Sequence, residues 1–255
     1  MSGAALVTGG ARRIGAAIAR HLASRGQPVV IHHRNSEREA ESLAAEINAG
    51  GGSAFTIAAD FAEPEAVQGL IEAAEAKAGP IGVLVNNASH FVFDKPTTVS
   101  AESLVAHLTP NLVAPVLLAR DFAARAGERP GGAAPGVIVN ILDQKLGNLN
   151  PDFFSYTLSK AALAAATEML AMAFAPNIRV CGIAPGLTMI APKQTPEKFE
   201  RAWRATPLRQ GSAPQDIARA VGFLIDTQSI TGTTLVIDGG EHLMHRGRDV
   251  SFTIA

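Results

Sequence analysis

The sequence contains one cysteine, one tryptophan and one tyrosine in 255 residues, and only 5% of it is aromatic. The single Cys181 cannot close an internal disulfide, which suits a reducing compartment. A chain of this length buries roughly 70% of the surface its unfolded form exposes, so it needs no staple. Neither sign of charge is in excess, with 22 Lys and Arg against 23 Asp and Glu. That balance leaves no basic stripe for nucleic-acid phosphates and no polybasic membrane patch. No uninterrupted apolar run approaches the ~18 residues of a membrane span. The first residues lack the basic and long apolar stretches of a signal peptide. The expectation is a cytoplasmic, soluble, single-domain protein spanning 1–255, with no nucleic-acid or membrane partner.

What the sequence does contain is alternation. Short apolar runs at 4–8, 28–33, 53–58, 82–86, 136–142, 178–184 and 233–237 read as strands. Helical patterns at 13–24, 36–49, 64–78, 101–125, 153–173 and 214–225 lie between them. Val83-Leu84-Val85 and Val137-Ile138-Val139 are apolar at successive positions, as a parallel strand covered on both faces requires. The fold class is therefore α/β, a doubly wound (Rossmann) parallel sheet of seven strands with helices on both faces. The glycine-rich stretch 131–136 reads as a connection rather than a domain linker. The segment 187–207 is longer than an ordinary connection, and is either a lid over a substrate or a surface insertion.

Thr8-Gly9-Gly10-Ala11-Arg12-Arg13-Ile14-Gly15 joins the first strand to the first helix. Its glycines let the backbone approach a pyrophosphate, and free N–H groups at the helix start attract the anion. At the end of the second strand, His32-His33-Arg34-Asn35-Ser36 offers no carboxylate for a ribose 2′-hydroxyl. Arg34 can instead fork onto a 2′-phosphate, with Arg12 or Arg13 as a second charge, so the cofactor reading is NADP(H). Asp60-Phe61 after the third strand suits the adenine side, although Asp60 also reads as a helix N-cap. Asn86-Asn87-Ala88-Ser89 brings small polar groups to the carboxyl edge of the sheet.

Tyr156 and Lys160 are four residues apart on one helical face, and a neighbouring cation favours phenolate. Together the turn at 8–15, Asn86-Asn87-Ala88, Asn111, Tyr156/Lys160 and Pro185-Gly186 resemble the short-chain dehydrogenase/reductase family over essentially the whole chain. The resemblance implies that Tyr156 donates a proton and that Lys160 binds the nicotinamide ribose and keeps the phenol acidic. It further implies that Asn111 positions a water, and that Pro185, Gly186 and Thr188 line the nicotinamide and phosphate side.

Two departures from the family pattern are informative. The middle glycine of the usual turn is Arg13, and Asp143 replaces the usual catalytic serine, 13 residues before Tyr156. A serine donates a hydrogen bond to a carbonyl oxygen, whereas an ionised carboxylate only accepts and repels that oxygen as it becomes negative. Asp143 therefore suits a substrate with N–H donors or one that takes a proton at a ring nitrogen. Both departures, with His33-Arg34-Asn35-Ser36 and Asn87-Ala88-Ser89-His90-Phe91, resemble the pteridine reductase and dihydromonapterin reductase subgroup. That resemblance implies that Phe91 sandwiches a pterin against nicotinamide and that Ser89 touches both ligands. It also implies that Asp143 contacts the amino-pyrimidine edge or shares protonation with Tyr156, and that Arg13 lies near phosphates and pterin. Leu187 opens the expected substrate loop.

In the tail 241–255, His242, His245, Arg246 and Arg248 resemble a metal or anion site, but read better as a solvated tail; no metal is expected. In the subgroup a shorter tail reaches a neighbouring subunit's site. The helices at 101–125 and 153–173 are alanine-rich on more than one face and can bury a second face in a four-helix subunit contact, so the resemblance implies a homotetramer. The expected activity is NADPH-dependent reduction of a dihydropteridine, whether dihydromonapterin, dihydrobiopterin or dihydrofolate. The alternatives are a short-chain reductase of a carbonyl such as a 3-oxoacyl thioester, and a non-catalytic NADP-binding sensor.

Overall fold

The computed structural model describes residues 3–127, 136–190 and 194–253. Strands β1 (Ala4–Val7), β2 (Val29–His33), β3 (Ala54–Ala58), β4 (Ile81–Asn86), β5 (Gly136–Ile141), β6 (Ile178–Pro185) and β7 (Thr234–Ile237) form one sheet. Its order is β3-β2-β1-β4-β5-β6-β7, and the pairings are parallel. The order reverses direction between β1 and β4, which opens a crevice at the carboxyl ends of these strands.

Both faces of the sheet are covered, and the strands are apolar throughout for that reason. Ala5, Val7, Ile31, Val83, Val85, Val139 and Ile183 pack under helices α1 (Arg13–Ser24), α2 (Glu37–Ala49) and a later helix, α8 (Pro214–Asp226). Their alternates Ala4, Leu6, Val30, Leu84, Ile138 and Val180 face the other way. That second layer is built from α3 (Leu70–Ala78), α5 (Ala114–Gly127) and α6 (Phe154–Phe174), with α4 (Ala101–Leu108) leading into α5. The two-residue period of the strands thus makes two cores from one sheet.

Several elements depart from the expected bounds. The helix expected over 64–78 breaks into a 3-10 turn (Pro64–Val67) and α3, because Gly69 takes a left-handed φ of 71°. The helix expected over 101–125 runs on to Gly127 through a π-helical turn at Thr109–Val113. Pro110 lies in that turn and has no N–H to continue the α ladder, so the register widens there and presents Asn111 to the interior. By length and composition the Ala101–Gly127 helix is long and apolar enough to cross a membrane. In the fold its Leu118, Ala119 and Phe122 are buried in the sheet core, and His107 and Asn111 are buried polar groups.

The segment 187–207 is not only loop. It carries α7 (Pro196–Arg204), started by Thr195, whose hydroxyl accepts the Lys198 N–H. The tail likewise forms a 3-10 turn (Glu241–Leu243) and a short α9 (Val250–Thr253). The expected connection at 131–136 lies outside the described residues except for Gly136.

Candidate active site

The turn after β1 is held from two sides. Thr8 Oγ1 accepts the N–H groups of Asn87 and Ala88 at 2.9 and 3.0 Å, and Asn87 Nδ2 donates to the carbonyls of Thr8 and Gly9. On the other side, the Gly9 N–H donates to His32 Nδ1 at 3.0 Å, while His32 Nε2 meets the Ala59 carbonyl, also at 3.0 Å. Those two contacts fix the neutral Nε2–H tautomer, and burial draws the imidazole down to about 4. Its ring is stacked on Phe61 at 4.3 Å. His32 positions the turn, a role that the sequence reading missed; its signal was a polar side chain inside a strand covered on both faces.

This geometry leaves a cradle for a pyrophosphate. Gly9 has a φ of 59°, and a Cβ on Gly15 would lie 2.2 Å from the Gly9 carbonyl oxygen. Arg12, at the N-cap of α1, makes no capping hydrogen bond, so the first turn of the helix offers its N–H groups outward. Ile14 sits in that turn, packed against the core. At the end of β2, His33 is buried with no hydrogen-bond partner for Nδ1. Beside it Arg34 and Asn35 are exposed; Arg34 Nη1 lies 3.9 Å from Asp60, and Arg12 is 3.3 Å from Glu39. Asp60 also accepts the Ala62 N–H, as a turn cap does. The guanidiniums of Arg12 and Arg34, the unpartnered imidazole nitrogen of His33 and the uncapped start of α1 are groups that suit the phosphates of an NADP(H).

At the reacting end, β5 delivers Asp143 and α6 delivers Tyr156 and Lys160. Tyr156 Oη donates to Asp143 Oδ2 at 2.8 Å, and Asp143 Oδ1 accepts the Lys145 N–H at 2.8 Å. Lys160 Nζ donates to the Ile141 carbonyl at 2.7 Å and lies 5.8 Å from the centre of the Tyr156 ring. The expectation that this cation lowers the phenol is reversed here. Burial and the adjacent Asp143 carboxylate push Tyr156 well above its ordinary value. Burial raises Asp143 too, despite its hydrogen bonds from Lys145 and Tyr156 and the charge of Lys160. The same burial draws Lys160 down to about 8. Tyr156 and Asp143 thus hold their protons more tightly than in water, while Lys160 gives its proton up more readily.

Asn111 is fully engaged with its own chain. Its oxygen accepts the His90 N–H at 2.7 Å, and its amide donates to the His90 carbonyl and to Ser159 Oγ, both at 2.9 Å. It ties the 87–94 segment to α6 and so sets Phe91 relative to Tyr156. Phe91 is 53% exposed, stacked on Phe153 at 4.4 Å and edge-on to Tyr156 at 4.6 Å. Ser89 is exposed next to it. A buried asparagine pair, Asn86 Nδ2 to Asn140 Oδ1 at 2.8 Å, joins β4 to β5 behind the site.

Arg13 has a φ of 54°, which explains why glycine is the usual residue at this position. Its guanidinium reaches the carbonyls of Ile190 at 3.0 Å and Met189 at 3.4 Å, tying the glycine-rich turn to the segment after β6. Pro185 ends β6, the Gly186 N–H donates to Ile237, and Thr188 Oγ1 donates to the Gly186 carbonyl. The Leu187 N–H meets the buried Glu241 carboxyl at 3.4 Å. Burial, with like charge from Asp143 and Asp249, lifts Glu241 to about 7. Glu241 and Lys145 are site neighbours that the sequence reading did not single out.

A glycine-rich cradle, a basic corner at the end of β2 and a Tyr156–Asp143 pair, gathered at one sheet edge, define an NADP(H)-dependent oxidoreductase. The family model described as "Enoyl-(Acyl carrier protein) reductase" matches residues 9–242. The chain belongs to the short-chain dehydrogenase/reductase family. Among solved structures it resembles FolM alternative dihydrofolate reductase 1 from Brucella suis in complex with NADP. The identity is 44%, the TM-score 0.91, and coverage 96% of this chain and 97% of that one. A dihydromonapterin reductase of an Enterobacter species is 29% identical, over 93% of this chain and 96% of its own. A 3beta-hydroxysteroid dehydrogenase 1 of Eggerthella lenta is 33% identical, over 92% of each.

Proposed function

We propose that this chain reduces a dihydropteridine to its tetrahydro form at the expense of NADPH, as a homotetramer. The observation that carries the reading is Asp143 Oδ2 accepting from Tyr156 Oη, beside the half-exposed Phe91 ring. A flat heterocycle with amino donors wants an aromatic face and a carboxyl acceptor, and both stand at this edge of the sheet. Similarity to proteins that act on dihydromonapterin and dihydrofolate supports the same reading.

The nicotinamide, when bound, supplies a hydride to a carbon of the pterin C=N bond. The ring nitrogen then takes a proton, which leaves a C–H and an N–H where the double bond stood. That proton comes from the Tyr156–Asp143 pair, whose two members are both held protonated more strongly than in water. Water re-protonates the pair afterwards. Lys160 sets the charge of the cluster and lies on the ribose side, while Gly9, Gly15, Ala88, Gly186 and Thr188 line the cofactor. Most of the acceleration would be positional, with Phe91 and the nucleotide cradle orienting substrate and cofactor toward each other.

Two apolar faces support the tetramer. Val105 and Val113 on the long helix and Leu158, Met169 and Met172 on α6 are exposed, more than a lone subunit usually leaves to water.

The test is NADPH oxidation followed with dihydromonapterin, dihydrobiopterin, dihydrofolate and an acetoacetyl thioester in parallel, on a preparation sized by light scattering. Oxidation with the dihydropteridines, at four times the 26.5 kDa chain mass, is expected. Turnover of the thioester alone overturns the reading. Arg34→Ala gives the cofactor counterpart. Losing a charge-assisted contact to the 2′-phosphate should weaken NADPH by roughly 10- to 100-fold. NADH should be untouched, as paired fluorescence titrations would read.

A further inference from the structure

The reduction chemistry uses one phenylalanine, Phe91, but the structure continues the aromatic surface well beyond it. Phe91 is stacked on Phe153, Phe153 meets Phe93 edge-on at 5.3 Å, and both face Phe252, at 6.2 and 5.1 Å. Phe252 comes from α9, at the far end of the chain. In a protein with 5% aromatic residues this is a concentrated patch, and it is not sealed. Phe93 and Phe252 remain 44% and 49% exposed.

The tail that brings Phe252 here is bound to the segment following Asp143. Asn148 Nδ2 donates to the Met244 carbonyl at 2.6 Å, and the Arg246 N–H donates to Asn148 Oδ1 at 3.1 Å. Buried Asp152 accepts from Arg248 Nε at 2.7 Å and from the Asp249 N–H at 2.8 Å. Buried Lys145 donates to Asp249 Oδ2 at 3.0 Å. Undocking the tail would leave an ammonium and a carboxylate buried without these partners, which is strongly unfavourable. The residue that grips Asp249 with its side chain is the one whose backbone N–H holds the Asp143 carboxylate. The tail therefore belongs to its own chain's site.

We propose that this tail forms the outer wall of the substrate site in cis, and that Phe252 is a specificity-determining residue favouring dihydropteridines with an aryl extension over those with a short polyhydroxyl chain. The inference rests on the dihydropteridine reading. An aryl group leaving the heterocycle would pass from Phe91 onto Phe93 and Phe252 and stack there. A hydroxylated chain would lose water against ring faces, where the nearest cations, Lys145 and Arg248, are already paired with Asp249 and Asp152.

Steady-state kinetics of the full chain with dihydrofolate and dihydromonapterin test this, for wild type, Phe252→Ala and Phe252→Tyr. Phe252→Ala should lower kcat/KM for dihydrofolate about tenfold, through KM. It should not lower kcat/KM for dihydromonapterin, it should leave the fluorescence-measured Kd for NADPH and the light-scattering mass unchanged, and Phe252→Tyr should restore dihydrofolate. An unmoved substrate ratio, whether both substrates fall together or neither does, overturns the role of Phe252 and leaves the dihydropteridine reading intact. A changed mass with an unmoved ratio assigns Phe252 to subunit contact and overturns it equally. A wild type that turns over neither substrate overturns both readings.

Discussion

Tyr156→Phe will lower dihydropteridine turnover by at least ~100-fold, the usual worth of a positioned proton donor, while NADPH binding stays as it was. The phenol oxygen is the donor to Asp143 Oδ2 at 2.8 Å, so its removal breaks the pair as well as deleting one proton. Asp143→Asn is the informative partner. It keeps the shape but replaces an acid with an amide that has no proton to give, and it should fall to a similar level. The double variant should be little worse than either single one, because residues that act as a unit lose their effect together. Stopped-flow NADPH oxidation over a pH series reads all three proteins. Losses that multiply in the double variant would mean that the two groups work separately.

The pH series has a definite sign. Asp143 is raised above its ordinary carboxyl value, chiefly by burial. The cluster carries its full complement of protons below that raised value and loses one as the pH rises through it. For wild type, kcat/KM should therefore be level on the acid side and fall on the alkaline side. Asp143→Asn removes the Asp143 part of that limb, and burial still raises the remaining phenol once the carboxylate is gone. Asp143→Ser separates the substrate classes, because a hydroxyl donor would leave or raise activity on a carbonyl but lower it on a dihydropteridine. A wild-type rate that climbs with pH through the neutral range would count against a proton-donating Asp143.

What was legible in the sequence follows from the range of the forces involved. The strands could be read because a sheet covered on both faces imposes unbroken apolar runs such as Val83-Leu84-Val85, and all seven fall near their expected bounds. Tyr156 and Lys160 were legible from their spacing, but the state of the phenol was not. The i,i+4 lysine turns its ammonium to the Ile141 carbonyl, and burial together with the nearer Asp143, reached across the fold, raises the phenol instead. Long-range partners left the weakest trace. His32 anchors a glycine 23 residues earlier, and Lys145 meets a carboxylate 104 residues later. Pro110 was visible, yet its consequence, a π turn rather than a stop, depends on α4 and α5 both packing against α6. Arg13 stood out as a missing glycine, and its left-handed φ is the conformation glycine normally takes there.

The second large effect is expected at Gly15. A Cβ there would sit 2.2 Å from the Gly9 carbonyl oxygen, 2.7 Å from Asn87 Nδ2 and 2.9 Å from Gly10 Cα. Two of these three are backbone atoms, which cannot swing aside as a flexible side chain would. Gly15→Ala must therefore push α1 away from the turn. Overpacking of this kind costs about 1–3 kcal/mol, or roughly 2–12 °C in Tm for a chain of this size. The functional loss should be larger than the structural one. The displaced elements are the helix N-terminus and the Gly9 turn, the parts that meet the pyrophosphate, so NADPH affinity should fall by more than ~100-fold. Gly127→Ala is the control. It lies at the end of α5 with nothing within 4 Å of an added Cβ, so it should leave binding alone and change stability by no more than ~1 kcal/mol. Thermal unfolding with and without NADPH reads both quantities. Gly15→Ala should lose the cofactor-induced rise in Tm that wild type and Gly127→Ala retain. If it kept that rise, the pyrophosphate would have to bind away from the Gly9–Gly15 cradle.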